Sequence, residues 1–234
     1  MRSGFGLLFV LTCLCGCATK PAATVWQVQP VAEGEDRVFA RAACALQKVF
    51  PRQYHATQRA IITVRGRQFV CDGFLTVSPA EGWHLAVVST LGLVADVRVR
   101  ADGSSEVVKV TPLFREDWSR QYVARELRWL FVPPPALRPV GRLSDGRLVL
   151  AGADHADNVQ ARYLCSRDGT RWEELELLAG AHRVCHARLG GYRPCAGFER
   201  EVPTDIELEA GTHELHLRIV AVSVTGESTT GAAR

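Results

Sequence analysis

The sequence predicts a mainly β protein of the α+β class, with one long antiparallel sheet that must curl and two helices to cover it. Three observations predict this. Apolar residues recur with period two through a long series of short segments bounded by Gly, Pro, Asp or Ser. Two other segments show helical spacing instead. No internal repeat divides the 234 residues, a length that one large domain can use. A sheet of so many strands curls or closes on itself. Two amphipathic helices are then available to bury their apolar stripes against its inner face.

The chain opens with a segment unlike the rest. Arg2 is followed by the apolar run Phe5 to Leu14 and then by small residues, Gly16 and Ala18. That is the layout of a secretory signal, too short to span a bilayer comfortably. Its end, Leu14-Cys15-Gly16-Cys17, resembles the bacterial lipoprotein box. The resemblance implies a signal peptide over 1–16, cleavage after Gly16, and acyl groups, palmitate among them, on Cys17. Several acyl chains anchor firmly, because each buried methylene contributes about 0.8 kcal/mol. Ala18 and Thr19 follow where such lipoproteins carry Asp for inner-membrane retention, so the expected address is the periplasmic face of the cell outer membrane. No later apolar run approaches the length of a transmembrane helix.

Residues 17–34, rich in Ala and Pro, read as a tether. The domain is expected over 35–224. From Asp36 to Phe50 the residues Val38, Phe39, Ala42, Ala43, Leu46, Val49 and Phe50 recur at helical spacing, and Pro51 stops the helix. The period then changes to two. "ATQRAIITVRG" and "RQFVCDGFLTVSP" place Ala60, Ile62 and Val64, then Phe69, Cys71, Gly73, Leu75 and Val77, on single faces. "EGWHLAVVST" aligns Trp83, Leu85 and Val87; "LVADVRVRADG" aligns Leu93, Ala95, Val97 and Val99; "SEVVKVTP" follows. A second helix is expected from Arg115 to Phe131, with Trp118, Tyr122, Leu127, Leu130 and Phe131 as its stripe, until "VPPPALRP" ends it. Strands resume with "GRLVLAG", "VQARYLCS", "RWEELELL", "HRVCHARL" and "YRPCAGF". "PTDIELEAG" and "THELHLRIVAVSV" close the domain, the latter alternating Leu215, Leu217, Ile219 and Ala221 with His216 and Arg218. Residues 225–234 read as a loose, flexible tail.

This order of elements resembles the LolA/LolB-like fold: a lipobox, a tether, a helix, a strand meander, a second helix and further strands. The resemblance implies a half-barrel closed by helices around an apolar cavity for acyl chains. Two stretches carry it most closely. "HLAVVSTLGLVADVRV" is similar to a hairpin that in LolB bears an exposed Leu before Gly at its tip, used to insert lipoprotein into the membrane; Leu91-Gly92 fall there. "GGYRPCAGFEREVPTDIELEAGTHELHLRI" looks like the closing hairpin of the family. The implied role is acyl-chain binding in lipoprotein or lipid transfer, with the membrane and the acyl chains as partners and a monomeric carrier. The expected cavity lining is Phe69, Leu75, Trp83, Leu85, Val87, Leu93, Val97, Val99, Leu217 and Ile219. A structural envelope lipoprotein with a filled core is the alternative.

Other chemistries find little footing. Net charge is +3 with scattered basic residues, so there is no nucleic-acid footprint. No GxSxG, HExxH, Walker or GxGxxG motif is present, and Asp154, His155 and Asp157 sit in a polar loop of turn-forming residues, so no enzyme and no cofactor are expected. His182, Cys185 and His186 match no paired zinc spacing, so no metal is expected. Five cysteines remain after the signal, and some pairing among Cys165, Cys185 and Cys195 is possible in an oxidising compartment.

Overall fold

The computed structural model describes residues 26–49, 53–64, 67–78, 80–90, 92–100, 104–110, 124–132, 136–154, 159–194, 200–210 and 215–226, the last of these by its backbone. Helix α1 (Asp36–Gln47) starts at an acidic turn: Glu35 precedes it and its carboxylate accepts the Ala32 N–H at 3.0 Å. Five strands follow: β1 (Tyr54–Val64), β2 (Arg67–Ser78), β3 (Gly82–Ser89), β4 (Gly92–Val99) and β5 (Ser105–Val110). Helix α2 (Ala124–Phe131) is the described part of the second expected helix; Trp118 and Tyr122 lie outside the described residues. Then come β6 (Arg138–Arg142), β7 (Leu148–Asp154), β8 (Val159–Cys165), β9 (Trp172–Ala179), β10 (His182–Gly190), β11 (Asp205–Ala210) and β12 (Leu215–Gly226).

Among the described residues these twelve strands form one antiparallel sheet, ordered β5-β4-β3-β2-β1-β12-β11-β10-β9-β8-β7-β6. It is two meanders joined at the middle, where β1 pairs β12 from Tyr54↔Gly226 to Val64↔Leu215. The fold is mainly β, with the two helices on one face. That face holds the core: Phe39, Ala42 and Leu46 of α1 and Trp129, Leu130 and Phe131 of α2 are buried with Leu75, Leu85, Val97, Leu148, Tyr163 and Leu177. The alternating pattern dictates this, since every second side chain of a strand points to the same side.

Two tyrosines tie the halves of the sheet to one turn of α2. Tyr54 on β1 donates to the Phe131 carbonyl at 3.4 Å, and Tyr163 on β8 donates to the Trp129 carbonyl at 3.5 Å. These strands are five places apart in the sheet order, about 24 Å along a flat sheet, yet their hydroxyls reach carbonyls two residues apart.

The structure departs from strict alternation at bulges. Between β3 and β4 the register shifts, so that Val87 pairs Ala95 but Val88 pairs Leu93. An extra residue moves the following side chains to the opposite face. Val88 also stands opposite Asp72 on the outer face, so Leu93 lies on that face and Val94 is the buried residue. The expected lining position Leu93 is thereby corrected. A second bulge, between Arg183 and Cys185, puts His182 opposite Ala179 and His186 opposite Glu176. The two histidines therefore take opposite faces, although uninterrupted alternation would have put them together. The stretch "YRPCAGF" contributes no full strand in its described part. Gly191 turns the chain with φ +61 and Pro194 has no N–H to give, which leaves one bridge, Arg193↔Val202.

Candidate functional site

The inner face of the β1–β4 meander is laid out in cross-strand rows. Val99, Trp83, Val77 and Tyr54 make one row, and Val97, Leu85, Leu75 and Ala56 the next. All eight side chains are buried. The third row, Ala95, Val87, Gly73 and Gln58, is smaller and more polar. Gln58 lies flat over Gly73: a Cβ there would stand 3.0 Å from the Gln58 Cγ. Cys71 and Ala60 follow, and Phe69, two positions beyond Cys71, is partly exposed.

Of the expected lining, Leu75, Trp83, Leu85, Val97 and Val99 belong to the buried core, and Val87 packs against it partly buried. Leu217 stands opposite Ile62 and Leu208, and Ile219 opposite Ala60 and Ile206; their side chains are outside the description. Leu91 is outside the described residues. Its flanks are described: Ser89 Oγ donates to the Gly92 carbonyl at 3.4 Å, and Gly92 takes φ +106 with open space where a Cβ would be. Such a left-handed turn suits glycine. Cys17 also precedes the described residues.

Alternation alone did not reveal the polar atoms of this interior. The Gln58 Oε1, Trp83 Nε1 and Trp129 Nε1 are buried with no hydrogen-bond partner. Buried polar atoms are normally paired, so each is an unfilled valence of the interior. The sequence signal was a Gln at an inner-face position opposite a Gly. Burial raises the Tyr54 and Tyr163 hydroxyls well above their ordinary range, so both are donors at all physiological pH values.

The described cavities lie at the rim. One of about 440 Å³ is lined by Arg147, Arg171, Glu173, Glu174, Arg188 and Tyr192, with Leu189 reaching it from the core. A smaller one of about 280 Å³ shares Arg171 and Tyr192 and adds Arg200 and Glu201. Their charges are largely matched: Arg147 pairs Glu174 at 2.9 Å and Arg171 pairs Glu201 at 3.0 Å. Glu174 also meets His186 at 2.8 Å, and that contact, with Arg147, holds its carboxyl below the usual range. One row along, Glu176 is fully buried; desolvation raises its pKa against Arg183, 3.6 Å away, and Arg162.

Cys165 and Cys185 are not brought together. Cys185 stands opposite Leu177, which stands opposite Ala161, four residues from Cys165. Two strand spacings and four residues separate them, far beyond the 4.4–6.8 Å between Cα atoms that a disulfide needs. Burial pushes the Cys165 thiol up to about 12, so it is a small apolar side chain and no nucleophile. Cys195 is outside the described residues, as are His155 and Asp157. Among the described residues no three His, Cys, Asp or Glu side chains stand close enough to hold a metal ion.

A long antiparallel sheet with two helices over one face has counterparts among solved structures. The chain matches an outer membrane lipoprotein-sorting protein domain from Vibrio parahaemolyticus at TM-score 0.54 and 8% identity, over 83% of this chain and 93% of that one. The fold is LolA-like. A LolA superfamily protein from Nitrosomonas europaea matches at TM-score 0.50 and 10% identity, over 83% and 93% of the two chains. A DUF1329 family protein from Desulfovibrio piger matches at 0.58 and 8%, over 86% and 96%. No family model matches the sequence, and no curated protein matches it. At these identities the likeness is one of fold.

Proposed function

We propose that this protein is an envelope lipoprotein, attached through Cys17 to the outer membrane, that takes acyl chains of a lipoprotein or lipid against the inner face of its sheet. It acts as a monomeric binding and transfer module, without covalent chemistry, and releases its cargo to the bilayer. The observation that carries this reading is the LolA-like fold across most of the chain. A half-barrel is the matching shape. The convergence of Tyr54 and Tyr163 on one turn of α2 supports such a curl. The unpaired indole N–H groups of Trp83 and Trp129 support a ligand that brings oxygen acceptors, as the ester or amide carbonyls at the head of an acyl chain do. The β3–β4 hairpin, with Leu91 before Gly92, is the element that touches membrane or cargo. Leu91→Glu then leaves the unfolding midpoint unchanged and lowers lipoprotein insertion into vesicles at least tenfold.

A second reading has an observation of its own. Leu75, Leu85 and Val97 are buried beneath Trp129, Leu130 and Phe131, as in a filled core that serves an envelope complex and takes no ligand. Mass spectrometry of lipids that co-purify with a soluble Cys17→Ala form separates the two. Stoichiometric acyl lipid supports the carrier; its consistent absence, with no acyl-chain binding on titration, supports the filled core.

A further inference from the structure

The segment read as a tether is docked over its second half. Gln29 adds to the free edge of β6: its N–H donates to the Arg142 carbonyl at 2.8 Å, and the Arg142 N–H returns a bond to the Gln29 carbonyl at 2.9 Å. The Arg142 guanidinium pairs with Glu35 and donates to the Gly146 carbonyl at 2.7 Å. Val31 packs against the core. Trp26 meets the His186 ring edge-on, 6.5 Å between centroids, on the outer face of β10. The edge strand is shaped for this contact. A Cβ on Gly141 would collide with the Gln29 carbonyl oxygen and with Val28, so only glycine lets the two backbones approach. Sequence composition hides the strap behind its prolines and alanines.

We propose that this strap fixes which side of the domain faces the bilayer: the β6 edge and the outer face of β8–β10 lie beside the membrane, and the β5 edge turns away. The inference rests on the anchor at Cys17 proposed above. Residues 18–25 are all that remain between the anchor and Trp26, and fully extended they span about 30 Å. A free tether over 18–34 would span about 60 Å and let the domain roll. The lead leaves the domain at Trp26 on the outer face of β10, seven strand spacings from β5, about 34 Å along the sheet. An anchor on so short a lead therefore stays near the β6 side. The partner is the lipid surface itself, since the lead that enters it is the chain's own. The arrangement leaves the far meander, which carries the β3–β4 hairpin, free to receive cargo before it reaches the membrane.

Energy transfer tests this on the full-length lipidated protein in phosphatidylethanolamine–phosphatidylglycerol vesicles carrying an acceptor lipid. Donors are placed at Arg138→Cys on β6 or Lys109→Cys on β5, with Cys44 and Cys195 replaced by serine. Transfer at position 138 should exceed that at 109 at least twofold. Gly141→Ala, and independently Gln29→Pro, which removes the Gln29 donor without touching the core, should abolish that difference. Both should also speed hydrogen exchange around residue 29 at least tenfold. Equal transfer from the two positions in the unaltered strap overturns the proposal, and so does rapid exchange at Gln29 before any substitution. A chain that gains no lipid at Cys17 and stays off vesicles overturns it through the anchor. A chain that anchors and orients but binds no acyl ligand overturns the carrier reading alone.

Discussion

The two meanders use the same antiparallel architecture but differ in how many faces they bury. In β1–β5 one face meets the helices and the other meets solvent. Val70 is 58% exposed and Phe74 48% exposed there, and the Arg59–Asp72 ion pair and the His84–Asp96 hydrogen bond stand among them. In β7–β9 both faces are covered. Val149, Leu164 and Leu178 are buried on the outer side just as Leu150, Tyr163 and Leu177 are on the inner. The strap from Trp26 to Val31 docks on this second meander, at the edge of β6 and on the outer face of β10. The difference separates a half buried on both faces, which carries the strap, from a half that keeps one face open to solvent.

Several substitutions break or sharpen that contrast. The largest effect is expected from outer-face apolar residues. Leu164→Ala on β8 should cost about 3 kcal/mol in urea unfolding, as a fully buried leucine does. Phe74→Ala on β2, on the same outer side of the other meander, should cost under about 1 kcal/mol. Similar costs for both would remove the distinction between the halves.

The β9 carboxylates, Glu176 buried and Glu174 half-buried, give the next effect, and they act with opposite signs. Burial raises the Glu176 pKa, so the folded chain holds that proton more tightly than the unfolded chain and stability declines as pH rises above the ordinary value of 4.5. Glu176→Gln should therefore raise stability by about 1 kcal/mol at pH 8 and change little below pH 4. Glu174 is held below 4.5 by His186 and Arg147. Its contribution is present above the unfolded pKa and is lost as pH falls through the folded one, so Glu174→Gln should cost about 1 kcal/mol at pH 7. Thermal melts across pH 3–8 that moved both variants in the same direction would contradict this assignment. The smallest effect belongs to the singly covered half. Arg59→Ala removes an exposed pair and should shift stability by less than about 0.5 kcal/mol.

Much of this architecture is legible in residue periodicity. Strands β1 to β4 follow their alternation because one buried face sorts apolar from polar side chains cleanly. The strands of the second meander read as denser apolar runs, "LVLA" in β7 and "LELLA" in β9, which is what two buried faces require. Alternation could not see the bulges. One extra residue in β4 exchanged Leu93 for Val94, and one in β10 separated His182 from His186. Nor could it see backbone-to-backbone contacts. The strap depends on Gln29 and Gly141, whose side chains carry no pattern, though Trp26 and Val28 alternate with Gln27 and Gln29 as an edge strand would. The inner-face rows at Trp83, Leu85 and Leu75 were readable as apolar; that Trp83, Trp129 and Gln58 leave polar atoms unpaired among them depends on packing in three dimensions.

The central claim is that acyl chains enter between the helices and the inner face of the sheet. Photocrosslinking tests it most directly, with a lipoprotein whose acyl chain carries a diazirine and with peptide mapping of the adducts. The account predicts adducts on the inner-face residues Leu75, Leu85 and Val97 and on Trp129 of α2. Adducts confined to the outer-face residues Val70 and Phe74, or none above the level of a non-acylated control, would contradict it.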